Sequence, residues 1–131
     1  DKAILPSRGS EGSAGFDLYA AEEAFIGHGE VIAVPTGIAV EIPYDYAGFI
    51  WPRSGLAGNG IDTMAGLVDC DYRGEIVVML TNHSDTDIRW HVYQGDRIAQ
   101  IVFSPVLTVA IEVDGLGGTR RGDSGFGSTG R

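Results

Sequence analysis

Apolar and polar positions change places every few residues along this chain, and no stretch keeps a helical apolar period for three turns. Short runs rich in β-branched and aromatic residues recur instead between glycine, proline and Asx punctuation, the pattern of strands joined by tight turns. It predicts strands over residues 30–35, 37–42, 47–51, 75–82, 87–92, 97–103 and 106–113. Turn signals fall at Pro43 and over residues 55–60, 82–85 and 94–96. The expected fold is all-β, because many short strands close or protect their edges as a jelly-roll-like barrel or sandwich. Beyond Asp114, the residues Gly115, Gly117 and Gly118 open a segment with too little apolar content to hold itself on a domain. Residues 1–114 are therefore expected to form the core, and residues 115–131 a flexible glycine-rich tail that orders against a ligand or partner.

Length and charge narrow the function. At 131 residues the chain is one domain, able to bury roughly two thirds of its unfolded surface around a single core. A net charge of -9 argues against the basic footprint of a protein that grips long nucleic acids, so an anionic ligand needs local cations. Lys2 is the only lysine, and every other cationic side chain is an arginine. Cys70 stands alone, which rules out an intrachain disulfide and fits a reducing compartment. No apolar run has the length of a membrane span and no signal-peptide pattern opens the chain. The expectation is a soluble intracellular protein, cytoplasmic or nuclear. The start at Asp1, not methionine, is consistent with trimming of a longer precursor.

The last thirteen residues, TRRGDSGFGSTGR, concentrate anion-binding chemistry. Glycines let backbone amides approach phosphate, Ser128 and Thr129 add hydroxyl donors, and the Arg120 and Arg121 forks match phosphate oxygens. No GK[ST] follows the glycines, so this is not a Walker loop. Residues 121–123 spell RGD, which without an export signal is read as chance. Elsewhere, Asp69 and Asp71 read by spacing alone as turn carboxylates, and Tyr72 as a half-buried strand tyrosine. Asp96 and Arg97 read as a structural pair. None of the three histidines, His28, His83 and His91, lies where it would serve a nucleophile as base.

Four further segments change that reading: AGFDLYA at 14–20, PRSGLAG at 52–58, AGLVDCDYRGE at 65–75 and GDRIAQIVF at 95–103. Together with GFGSTG in the tail they resemble, in order and over nearly the whole chain, the five motifs of the trimeric dUTPase family. The resemblance implies hydrolysis of dUTP to dUMP and pyrophosphate, limiting uracil incorporation into DNA, with Mg2+ as cofactor and a homotrimer whose active sites are shared between subunits. It implies that Asp69 activates the water that attacks the α-phosphate. A carboxylate suits that role because it is ionised at neutral pH and can orient or deprotonate water.

The same resemblance implies the remaining roles. Gly66, Leu67 and Val68, on a hairpin faced by Val77, would read uracil through main-chain groups. Tyr72 would pack on the sugar and exclude a ribose 2′-hydroxyl by steric contact. Arg53, Ser54 and Gly55 would hold the α- and β-phosphates, with Gln100 contacting phosphate or water. Asp17 would act near the metal through water, since Mg2+ keeps several waters and is held mainly by substrate phosphates. In the tail, Phe126 would stack on uracil while Arg121, Gly127 and Ser128 clasp the β- and γ-phosphates. Three positions depart from the usual pattern: Thr63, Met64 and Ser124. Ser124 would be strained if its site required positive φ. A dCTP deaminase-like or bifunctional enzyme of the same fold is the nearest alternative, but Met79 stands where that branch carries a catalytic glutamate, and RSGLA replaces its usual RSS. A non-catalytic dUTP sensor is the other.

Overall fold

Alternation along the chain becomes alternation of burial. In β7 (Val77–Asn82), Val78 and Leu80 enter the core while Val77 and Met79 face outward. The computed structural model, which describes residues 2–126, places eight more strands and one short helix around that core. These are β1 (Phe16–Tyr19), β2 (Ala24–Ile26), β3 (Val31–Pro35), β4 (Tyr46–Trp51), α1 (Ser54–Ala57), β5 (Ile61–Met64), β6 (Leu67–Val68), β8 (Trp90–Val92) and β9 (Arg97–Pro105). One sheet has the order β1-β9-β4-β6, a second β3-β7-β5, and β2 pairs with β8 in a ribbon. All these pairings are antiparallel. The result is a jelly-roll-like all-β domain.

The inward faces meet in one cluster that includes Leu18, Ile26, Val34, Leu80, Ile98 and Ile101. Truncating any of its large members, such as Leu80, to alanine should cost about 2–5 kcal/mol. Polar groups inside are paired. The Asn82 amide donates to the Ile26 carbonyl at 2.9 Å, and its oxygen accepts from the Ser84 N–H at 2.9 Å and hydroxyl at 2.6 Å. Thr36 donates its hydroxyl to the Ile76 carbonyl at 2.5 Å. No described helix is long and apolar enough to cross a membrane.

Two predicted strands do not form. Over residues 37–42 the chain turns at Gly37 (φ 71°), and Ile38 and Ile42 dip into the core singly, with one backbone bond from Ile76 to Ile38. Residues 106–113 have strand-like alternation but no partner strand among the described residues. Their last strand-side anchor is the bond from Val106 N–H to Asp45 C=O at 2.8 Å, and Leu107, Val109 and Ile111 lie exposed. The predicted strand 87–92 contracts to Trp90–Val92, while β9 runs two residues further than expected. Strands β1, β2, β5 and β6 are additions, and α1 occupies part of the predicted turn at 55–60. The supposed hairpin around Gly66 is instead a crossing between sheets, because β5 pairs with β7 and β6 pairs with β4.

Candidate active site

The order of the first sheet assembles the motifs. Strand β9 lies between β1 and β4, which sets Gln100 opposite Asp17 on one side and Trp51 on the other, two residues before Arg53. On the far side of β4, Phe49 pairs with Leu67 and Gly48 with Val68. Segments more than eighty residues apart, such as those of Asp17 and Gln100, thus become neighbours through strand pairing alone.

Asp17, Arg53, Ser54, Arg97 and Gln100 line a polar cavity of about 240 Å³. Arg53 donates from Nε to Asp17 Oδ1 at 3.0 Å and from Nη1 to the Arg97 carbonyl at 3.2 Å. Arg97 approaches the other Asp17 oxygen at 3.5 Å, so one largely buried carboxylate faces two guanidiniums. The expected Asp96–Arg97 pair is not formed in this arrangement: Asp96 accepts the Tyr93 N–H at 2.9 Å. Gln100 donates to the Pro52 carbonyl at 3.1 Å, and its carboxamide lies directly over Gly15. A Cβ at Gly15 would sit 2.6 Å from Gln100 Oε1, so this glycine makes room for the amide. Gly55 belongs to α1, where its carbonyl accepts the Asn59 amide at 2.8 Å.

A second cavity of about 240 Å³ is lined by Gly66, Leu67, Val68, Asp69, Tyr72 and Val77, among others. Gly66 is required twice over. Its φ is 142°, and a Cβ there would lie 2.7 Å from the Ile50 carbonyl oxygen, against which the chain is drawn by a 2.8 Å bond from Ile50 N–H to Gly66 C=O. The preceding Ala65 is itself at φ 61°, so the crossing is sharply bent where main-chain groups would have to read a base. Asp69 opens a turn, its carbonyl accepting the Tyr72 N–H at 3.2 Å, and its carboxylate is exposed at the cavity. Tyr72 folds back so that its hydroxyl donates to the Glu75 carbonyl at 2.9 Å. Glu75 in turn accepts the Gly37 N–H at 2.7 Å, which pins this turn to the body of the domain.

No residue lining one of these cavities lines the other. Asp69, the Tyr72 ring and the bent main chain line one candidate half-site, and Arg53 and Arg97 with Gln100 line another. In the tail, Arg121 donates from Nε to the Ser124 carbonyl at 2.9 Å, closing a turn on itself, and Phe126 is fully exposed at φ 48°. Ser124 does not adopt positive φ, so the strain contemplated there is absent; Gly122 takes that conformation instead, at 55°. Gly127 and Ser128 lie outside the described residues. Sequence reasoning missed that Gly15 lies beneath the Gln100 amide and that Arg97 faces Asp17. The signal for both lay in β1, since recognising it as a strand would have put Asp17 opposite Gln100 and Tyr19 opposite Arg97.

The dUTPase family model matches residues 1–130. The mitochondrial deoxyuridine 5′-triphosphate nucleotidohydrolase of Dictyostelium discoideum is 50% identical over 99% of this chain and 73% of its own length. The corresponding protein of Tropheryma whipplei strain Twist is 51% identical over 96% of this chain and 88% of its own. Among solved structures, the Staphylococcus bacteriophage 80alpha dUTPase with dUPNHPP superposes with a TM-score of 0.93 at 26% identity, covering 100% of this chain and 94% of that one.

Proposed function

The chain belongs to the dUTPase family and is a dUTP diphosphatase, hydrolysing dUTP to dUMP and pyrophosphate, and on that premise we propose how its own residues carry the reaction. Asp69 orients a water and accepts its proton as the oxygen attacks the α-phosphorus. The bond from that phosphorus to the bridging oxygen breaks, and pyrophosphate leaves. The observation that carries this reading is the exposed Asp69 carboxylate in the same cavity as the bent Gly66–Val68 main chain and the Tyr72 ring. Those main-chain groups present a fixed donor and acceptor pattern to uracil, with Val77 closing the far wall. Tyr72 lies flat against the deoxyribose, leaving no space for a 2′-hydroxyl.

Arg53, Ser54 and Gln100 hold the phosphates in the polar cleft, and Gly55 presents its backbone at the start of α1. Mg2+ when bound neutralises charge on the phosphate oxygens. The donors present fit an ion held mainly by substrate, because the Asp17 carboxylate is already engaged by Arg53 and faced by Arg97, which leaves it to act through water. Residues 115–131 serve as the closing tail, with Phe126 on the base and Arg121, Gly127 and Ser128 on the outer phosphates.

The working unit is a homotrimer with sites shared between copies. Support comes from the separation of the two half-sites and from apolar surface left uncovered on one chain. Val31, Met64, Val77 and Met79 are exposed on the sheet β3-β7-β5, and the strand-like segment 106–113 has no partner strand among the described residues. Pyrophosphate release with Mg2+ should be measured across dUTP, dCTP, dTTP and UTP. Turnover confined to dUTP supports base and sugar selection as described, whereas equal turnover of UTP or dCTP would remove the roles given to Tyr72 or to the Gly66–Val68 main chain.

A further inference from the structure

The connection from β6 to β7, residues 69–76, carries both the proposed acid and the sugar-facing ring, yet little of it is packed. At one end Val68 is held by its pairing with Gly48, and at the other the buried Ile76 donates its N–H to the Ile38 carbonyl at 2.8 Å. Between them Cys70 rests partly on the core, while Asp69, Asp71, Tyr72 and Arg73 are exposed. Core packing by itself therefore leaves the direction of the Asp69 carboxylate open.

Arg73, which none of the roles above uses, ties this turn together. Its Nη1 carries two protons and donates to the Cys70 carbonyl at 2.7 Å and to the Tyr72 carbonyl at 3.1 Å. Those carbonyls belong to the same turn that the Tyr72 N–H closes on the Asp69 carbonyl at 3.2 Å. Its Nη2 approaches Glu41 at 3.6 Å, one residue before the buried Ile42, so the guanidinium also links the turn to a different part of the domain. An ion pair this exposed adds little stability, so what it contributes is geometry. We infer that Arg73 is a positioning residue for Asp69: without touching substrate, it fixes the turn so that the carboxylate stays aimed at the attacking water. The inference rests on the reading of Asp69 as the water-activating group and extends it to the side chain that holds its backbone.

The test is single-turnover pyrophosphate release from dUTP with Mg2+ by wild type, R73A, R73K and D69N, and by R73A and R73K each combined with D69N. Affinity for the non-hydrolysable analogue α,β-imido-dUTP and thermal melting are measured alongside. Because the Arg73 side chain is 56% exposed, R73A should melt within about 2 °C of wild type. It should release pyrophosphate roughly tenfold more slowly, while its affinity for the analogue stays within about threefold. R73K should fall between the two, since an ammonium keeps the charge but lacks the fork that spans both carbonyls and Glu41. In the D69N background no carboxylate remains to be aimed, and either substitution should slow release by less than about twofold. Should R73A melt much lower, R73K carries the same comparison between the two backgrounds. Wild-type release by the Arg73 variants, or equal slowing in both backgrounds, overturns the inference and leaves the wider reading standing. Release by D69N at the wild-type rate overturns both.

Discussion

The Tyr72 phenol lies across Gly74 so closely that any side chain at position 74 would overlap its oxygen and ring edge. Its hydroxyl is tied at 2.9 Å to the Glu75 carbonyl on the far side of that glycine. Gly74 is therefore the seat of the ring proposed to exclude ribonucleotides. Gly74→Ala should displace Tyr72 and relax sugar selection. The expected outcome is a fall of roughly tenfold or more in the ratio of kcat/KM for dUTP to that for UTP, read by pyrophosphate release. An unchanged ratio would show that the ring is held by something else.

Gly15 plays the same part for Gln100. A methyl at Gly15 would meet the carboxamide oxygen at 2.6 Å, and the amide, being the mobile end of a side chain, is what must yield. Gly15→Ala should leave the melting temperature nearly unchanged while lowering kcat/KM for dUTP by roughly tenfold, since a misplaced hydrogen-bonding group is lost to the substrate. A strongly destabilised variant would instead assign Gly15 to folding.

The strands with long β-branched runs were legible in the sequence, and β3, β4, β7 and β9 stand within two residues of their expected ends. Strands β5 and β6 were not, because Ile61–Met64 and Leu67–Val68 are too short for a period to show. The alternation over 106–113 misled in the opposite way: it reads as a strand, yet a strand exists only where an edge accepts it. Site chemistry was legible as types of residue but not as pairings. Arg97 was matched with its sequence neighbour Asp96, whereas strand register sends it towards Asp17, eighty positions away. The grouping of Gly66, Asp69 and Tyr72 could be read because they lie within one short segment.

Removal of residues 119–131 should leave the core folded. The described part of that segment makes its side-chain hydrogen bonds within itself, through Arg121, Ser124 and Thr119. The truncated chain should melt within about 2 °C of the full chain, since surface changes away from packed groups move stability little, and lose most of its turnover. Comparable rates with and without the segment would remove it from the mechanism.

Glu30 gives a pH signature independent of the site. Its carboxylate accepts the Gly27 N–H at 2.7 Å and pairs with Arg89 at 3.3 Å, and the first of these, then the second, holds its pKa below the ordinary glutamate value. A group depressed in the folded state stabilises above its unfolded pKa and loses that contribution as pH falls through the folded one. Glu30→Gln should therefore lower the melting temperature slightly at neutral pH, with the difference from wild type shrinking as the pH is brought below the glutamate range. A difference that grows on acidification would contradict this assignment.

The most direct test of Asp69 as the group that activates water is single-turnover pyrophosphate release by Asp69→Asn, alongside its affinity for α,β-imido-dUTP. The amide keeps the shape of the carboxylate but cannot take up a proton. Hydrolysis should slow by roughly 10²- to 10⁴-fold while affinity stays within about threefold of wild type. Turnover at the wild-type rate would contradict the mechanism outright.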